Sequence, residues 1–137
     1  MLKWVIEDWE KNKHLLENKI RKTNQYKFTY KWFVRNIAKI ILHFEKPKVY
    51  EIDDGDYQGT LLYLLVDKDI YQPNQYDYLT TFVDYGSCSG CDTLMQIQDG
   101  DPYKEYDEIP DDKQTKEYMT LCLHIVQRMK YFNESEE

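Results

Sequence analysis

The sequence predicts an α+β domain in which helices cover one face of a small antiparallel sheet, and three observations carry that prediction. Apolar residues recur at helical spacing in residues 2–21 and 29–44, the period shortens to that of strands between residues 48 and 85, and a helical period returns after residue 113. At 137 residues, 42% hydrophobic and 31% charged, the chain has the size and composition of one globular domain rather than of a disordered segment.

Leu2, Val5, Ile6, Trp9, Leu16 and Ile20 form one stripe, so residues 2–21 are expected to make an amphipathic helix. The stretch KTNQYK interrupts it. Thr29 is the expected cap of a second helix, whose stripe of Phe33, Val34, Ile37, Ile40, Ile41 and Phe44 stops before Pro47. Residues 1–46 thus read as a basic helical hairpin. Strands are expected near residues 48–53, 59–67 and 77–85, where Leu, Val, Tyr, Phe and Thr dominate and turn residues punctuate. Their short connections imply antiparallel pairing, so residues 47–98 read as a three-stranded sheet with a Cys-x-x-Cys turn and the short helix CDTLMQIQ. Residues 99–112 form an acidic loop. A terminal helix over 113–133 packs Tyr118, Leu121, Cys122, Ile125, Met129 and Phe132 on the sheet, and the last residues fray.

The net charge of -7 is unevenly spread. Residues 1–48 hold twelve Lys/Arg against five Asp/Glu, whereas residues 49–112 hold sixteen Asp/Glu against Lys68 and Lys104. Nine of the thirteen tyrosines fall in that second stretch. An acidic, tyrosine-rich surface suits a basic partner, and it can imitate nucleic-acid phosphates. The basic cluster Lys11, Lys13, Lys19, Arg21, Lys22, Lys27 and Lys31 suggests direct nucleic-acid binding, against which the overall negative charge weighs. No apolar run approaches the roughly 18 residues a bilayer requires, and Glu7 and Asp8 interrupt any leader-like stretch. A cytoplasmic protein without membrane contact is expected, and in that compartment three cysteines do not make a disulfide framework.

The stretch VDYGSCSGCDTL places Cys88 and Cys91 between a strand and a helix. Two chemistries attach to such a pair. A thiol at a helix N-terminus is a better nucleophile, although Asp84 and Asp92 oppose thiolate formation. Zinc is the second, with Cys122 as a third ligand; His124 lies two positions further along the same helix and points away. His14, His43 and His124 otherwise read as ordinary helix residues. No EF-hand, P-loop, H-E-x-x-H or G-x-S-x-G pattern is present, so no catalytic set is complete and no cofactor is expected beyond the zinc alternative.

Topology is more informative than motif here. If the strands at 59–67 and 77–85 form a hairpin, DGDYQG and YGSCSGCD become neighbours at one sheet end. Asp56, Tyr57, Gln58, Ser87, Cys88, Ser89, Cys91 and Asp92 would then share a binding site, joined by Asp99, Asp101, Tyr103, Glu105, Tyr106 and Asp107 of the acidic loop. Through Tyr57, Gln58 and Gly59 together with Gly86 to Asp92, the segment 56–94 resembles a group of small bacteriophage-type proteins with a YQG and YGSCSGCD motif pair. The resemblance implies a phage or mobile-element setting and two loops that act together, but no reaction. The functional expectation is a binding protein that inhibits or redirects a bacterial host protein, anti-defence activity being the natural example.

Overall fold

The computed structural model describes residues 2–55, 59–68, 77–86, 92–98 and 108–132. Helix α1 (Lys3–Arg21) buries Val5, Trp9, Asn12, Leu16 and Ile20, the stripe expected from spacing with one polar intruder. Asn12 is tolerated because its Nδ2 donates to the Ile41 carbonyl at 3.0 Å. A single 3-10 turn, Gln25–Lys27, follows, and then helix α2 (Tyr30–Asn36), capped by the Thr29 hydroxyl accepting from the Trp32 N–H at 3.0 Å.

Beyond Asn36 the second helix is not regular. Ile37–Ile41 widens to a π-helix, in which the Leu42 N–H reaches the Ile37 carbonyl at 3.1 Å. The Phe44 N–H then bonds the Ala38 carbonyl at 3.0 Å, and His43, between them, takes a left-handed backbone with φ of 59°. His43 is therefore a terminating residue rather than a helical one. The wider turn still buries Ile37, Ala38 and Ile41 against α1, so packing outweighs the poorer helical geometry.

Four strands, one more than expected, form an antiparallel sheet in the order β1-β2-β3-β4. They are β1 (Pro47–Asp53), β2 (Gly59–Asp67), β3 (Leu79–Tyr85) and β4 (Lys130–Tyr131). The fourth strand comes from the expected terminal helix. That helix, α4 (Asp112–Gln127), opens on a capping box between Asp111 and Gln114 and ends at Gln127, with Arg128 as its C-cap, six positions short of the expected stop at 133. Leu79 and Thr80 then pair with Tyr131 and Lys130, and the Phe132 N–H donates to the Tyr78 carbonyl at 3.1 Å. Pairing the edge of β3 satisfies backbone groups that a longer helix would leave open, and Phe132 lies off the helical face it was expected to share.

Odd-numbered strand residues face the helices: Val49, Tyr63, Leu65, Leu79, Thr81 and Val83 are buried. Across the outer face Ile52, Leu62 and Phe82 stand in register and are exposed, as is Tyr50. Helices thus cover one face, as expected. Helix α1 packs between the π segment and α4, while α2 rests on β1 and the short helix α3 (Thr93–Gln98) on α4. Phe28, Phe33 and Tyr118 stack at the centre, their ring centroids 4.8 to 5.5 Å apart. Among the described residues no helix is long and apolar enough to cross a membrane.

Candidate functional site

The strand ends from which the two glycine-bearing segments continue lie side by side. Gly59, the first residue of β2, is the register partner of Tyr85, the last of β3, and Asp53 at the end of β1 faces Leu61. Three strand ends therefore meet at one edge. The turn after β1 folds back over Gly59 so closely that an added Cβ would stand 2.8 Å from Asp54 Oδ1 and 2.9 Å from the Gly55 Cα, so only glycine fits. Asp54 holds that turn by accepting from the Thr60 N–H at 2.6 Å, and Asp53 by accepting from the Gly55 N–H at 3.0 Å.

Three tyrosines converge here, each with a carboxylate. Tyr85 hydroxyl lies 2.5 Å from Asp53 Oδ1 and 2.7 Å from the Gly55 carbonyl, and its one proton serves either acceptor. The register partners Glu51 and Tyr63 form the second pair, with the phenol donating to Glu51 Oε2 at 2.8 Å. Tyr30, at the start of α2, donates to Asp92 Oδ1 at 2.6 Å and accepts from the Leu94 N–H at 3.0 Å. Together with Thr29, Lys31, Leu61 and Leu94 these groups line a cleft of about 330 Å³.

Electrostatics follows from that arrangement. Loss of water raises the Tyr30 and Tyr63 phenols well above the usual tyrosine range, and their carboxylate partners Asp92 and Glu51 add to the shift. Asp53 moves the other way, held below the usual carboxylate range first by the Tyr85 hydroxyl and then by the Gly55 N–H. The phenols are thus donors at neutral pH, and Asp53 stays ionised. A cleft walled by tyrosine rings and carboxylates is suited to a cationic group.

Of the residues expected to bind, Asp92 is described and its role is defined by its partners. It caps α3 by accepting from the Met95 N–H at 3.2 Å, and its second oxygen accepts from the Gly86 N–H at 3.1 Å. One buried side chain therefore joins α2, the end of β3 and α3. The remaining expected residues, Asp56, Tyr57, Gln58, Ser87, Cys88, Ser89, Cys91, Asp99, Asp101, Tyr103, Glu105, Tyr106 and Asp107, lie outside the described residues. Because a carboxylate already occupies the N-cap of α3, that terminus offers little help to a nearby thiolate. Cys122 sits in the core with no exposure, and burial pushes its thiol far up, while His124 on the same helix is exposed. Among the described residues no group of three His, Cys, Asp or Glu is placed to hold a metal ion.

Sequence reasoning missed Tyr30, Glu51, Asp53, Tyr63 and Tyr85 as members of the cleft. A usable signal existed: Glu51 and Asp53 share one strand face with Tyr63 and Tyr85 once the hairpin register is drawn. A second and larger hollow, of about 830 Å³, shares no residue with this one and is lined by α1, the 3-10 turn and the π segment. The cleft at the sheet end is the one lined by Asp53, Tyr85 and Asp92, at the ends of β1 and β3 and the start of α3. No family model, curated protein or solved structure matches the chain.

Proposed function

We propose that the protein acts by binding, and that the sheet-end cleft receives a lysine or arginine side chain presented by a basic protein. The observation that carries this reading is the convergence of Tyr30–Asp92, Tyr63–Glu51 and Tyr85–Asp53 on one cleft at the sheet end. Ring faces and carboxylates attract the same kind of ligand, and a cation that leaves water there gains from both. The surrounding stretch 49–112, with sixteen carboxylates, would steer such a partner toward the cleft. A nucleic-acid-binding protein of a bacterial host has the required basic surface, which keeps the phage-type, host-directed role suggested by the motif pair within the same proposal.

Calorimetric titration with an arginine-rich peptide tests the reading. Wild type is expected to bind with an affinity that falls as salt rises, and Glu51→Gln with Asp53→Asn to weaken it about tenfold. Lys31→Ala, which removes a cation from the lining, should tighten binding. An affinity untouched by the carboxylate variants would overturn the assignment of the cleft.

A further inference from the structure

We propose that the basic groove formed by α1, the 3-10 turn and the π segment binds a single-stranded stretch of nucleic acid. This site is separate from the sheet-end cleft and does not depend on it. The groove of about 830 Å³ is lined by Lys19, Lys22, Lys27 and Lys39, with His43, and carries no carboxylate on its lining. Several other cations on the helices are paired: Arg21 bonds Glu17 at 3.2 Å and Asp112 at 2.9 Å, and Lys116 pairs with Asp112. Among the described residues the four groove lysines have no such partner. Unneutralised like charges kept together in one concavity repel one another, and a polyanion relieves that repulsion.

A second set of observations points to bases as well as phosphates. Tyr26 is 64% exposed on the groove lining and Leu15 44%, so an aromatic face and an apolar wall stand beside the lysines. Stacking on such a ring requires unpaired bases, which selects a single strand over a duplex.

The turn that carries Tyr26 and Lys27 is also held rigid from beneath. Gln25, 1% exposed, accepts from the Tyr118 hydroxyl at 2.5 Å and donates from Nε2 to Gln114 at 3.4 Å. Its backbone N–H bonds the Glu108 carbonyl at 3.0 Å, and its carbonyl accepts from Gln98 at 3.3 Å. Every polar group of one buried residue thus fixes a turn whose neighbours face outward. On the opposite wall, Lys39 and Ile40 belong to the π segment and His43 to the left-handed residue that ends it. Both departures from helical geometry fall on the groove, where local irregularity of this kind is frequently kept for function.

Titration of fluorescent oligothymidylate and oligouridylate, with polyglutamate and a duplex of equal length as competitors, tests the proposal. With four lysines engaged, log affinity should fall with log salt at a slope of about −3, a loss of about 50-fold over a fourfold rise in salt. Tyr26→Ala should weaken binding about tenfold and leave the slope unchanged. Combined Lys19→Glu, Lys27→Glu and Lys39→Glu should abolish binding, whereas Lys3→Glu with Lys113→Glu, off the groove, should change it less than about twofold. Because the Tyr26 ring is exposed, its variant remains informative even if the triple charge reversal fails to fold. No binding by wild type at low salt overturns the proposal. So does competition by polyglutamate as effective as that by oligonucleotide together with a silent Tyr26→Ala, which would make the groove a dock for an acidic protein.

Discussion

The sheet-end cleft and the basic groove are built on the same plan and carry opposite charge. Each hangs on one buried polar residue whose hydrogen bonds tie several elements together: Asp92 joins α2, β3 and α3, and Gln25 joins the 3-10 turn to α4, α3 and the segment at Glu108. The difference lies in what surrounds the hub. Around Asp92 the carboxylates are engaged by tyrosine hydroxyls, so the negative charge is partly consumed by the fold itself. Around Gln25 the groove lysines have no ion-pair partner among the described residues. A charge that the fold does not use is the clearer sign of an external ligand, whereas a charge held by hydroxyls contributes to both stability and recognition.

The largest effect is expected from removing the acidic hub. Asp92→Ala strips acceptors from Tyr30, Gly86 and Met95 at once and should cost about 3 kcal/mol of unfolding free energy, read from the shift in urea midpoint. Gln25→Ala leaves Tyr118 and Gln114 short of a partner in the core and should cost about 2 kcal/mol. It should also weaken oligonucleotide binding, because the turn bearing Tyr26 loses its anchor. If Gln25→Ala lowers stability and leaves groove binding intact, the hub supports the fold alone.

Next in size is an alkaline transition. Burial raises Tyr30, Tyr63 and Tyr118 above their unfolded range of about 10, so the folded state holds protons that the unfolded state releases. The stability this supplies is complete below about pH 10 and is lost as pH climbs toward the folded values. Phenolate absorbance should therefore appear in two steps, exposed tyrosines first and these three with unfolding. Asp53 has the opposite sign: its lowered value favours the fold above the carboxylate range and gives that contribution up in acid. The smallest expected effect is that of Lys39→Glu or Tyr26→Ala on stability, within about 0.5 kcal/mol by thermal denaturation, since both side chains are exposed.

Much of this architecture was legible because it is written in local pattern. The α1 stripe, the Thr29 cap and the near-correct limits of β1, β2 and β3 all follow from periodicity and turn chemistry. What escaped is non-local. The fourth strand exists because β3 offers an open edge to Lys130 and Tyr131, and no property of those two residues by themselves announces it. The π segment likewise carries a non-local contact, its Ile41 carbonyl accepting from Asn12 of α1. For the site, the adjacency of the two strand ends followed from hairpin logic and is realised in the Gly59–Tyr85 pairing. The tyrosine–carboxylate pairs needed register, which fixes that Glu51 meets Tyr63 rather than its neighbours. Cys122, weighed as a zinc ligand, is a core thiol whose burial was already implied by its place on the α4 stripe.

His43 leaves a lever for engineering. An imidazole-bearing residue in the left-handed region spends about 1 kcal/mol that glycine would not, so His43→Gly offers a sturdier protein at the expense of one groove side chain. Because His43 also lines the lysine-lined hollow, comparing wild type with His43→Gly separates its effect on thermal robustness from its effect on the proposed oligonucleotide binding, two properties that laboratory selection can then trade.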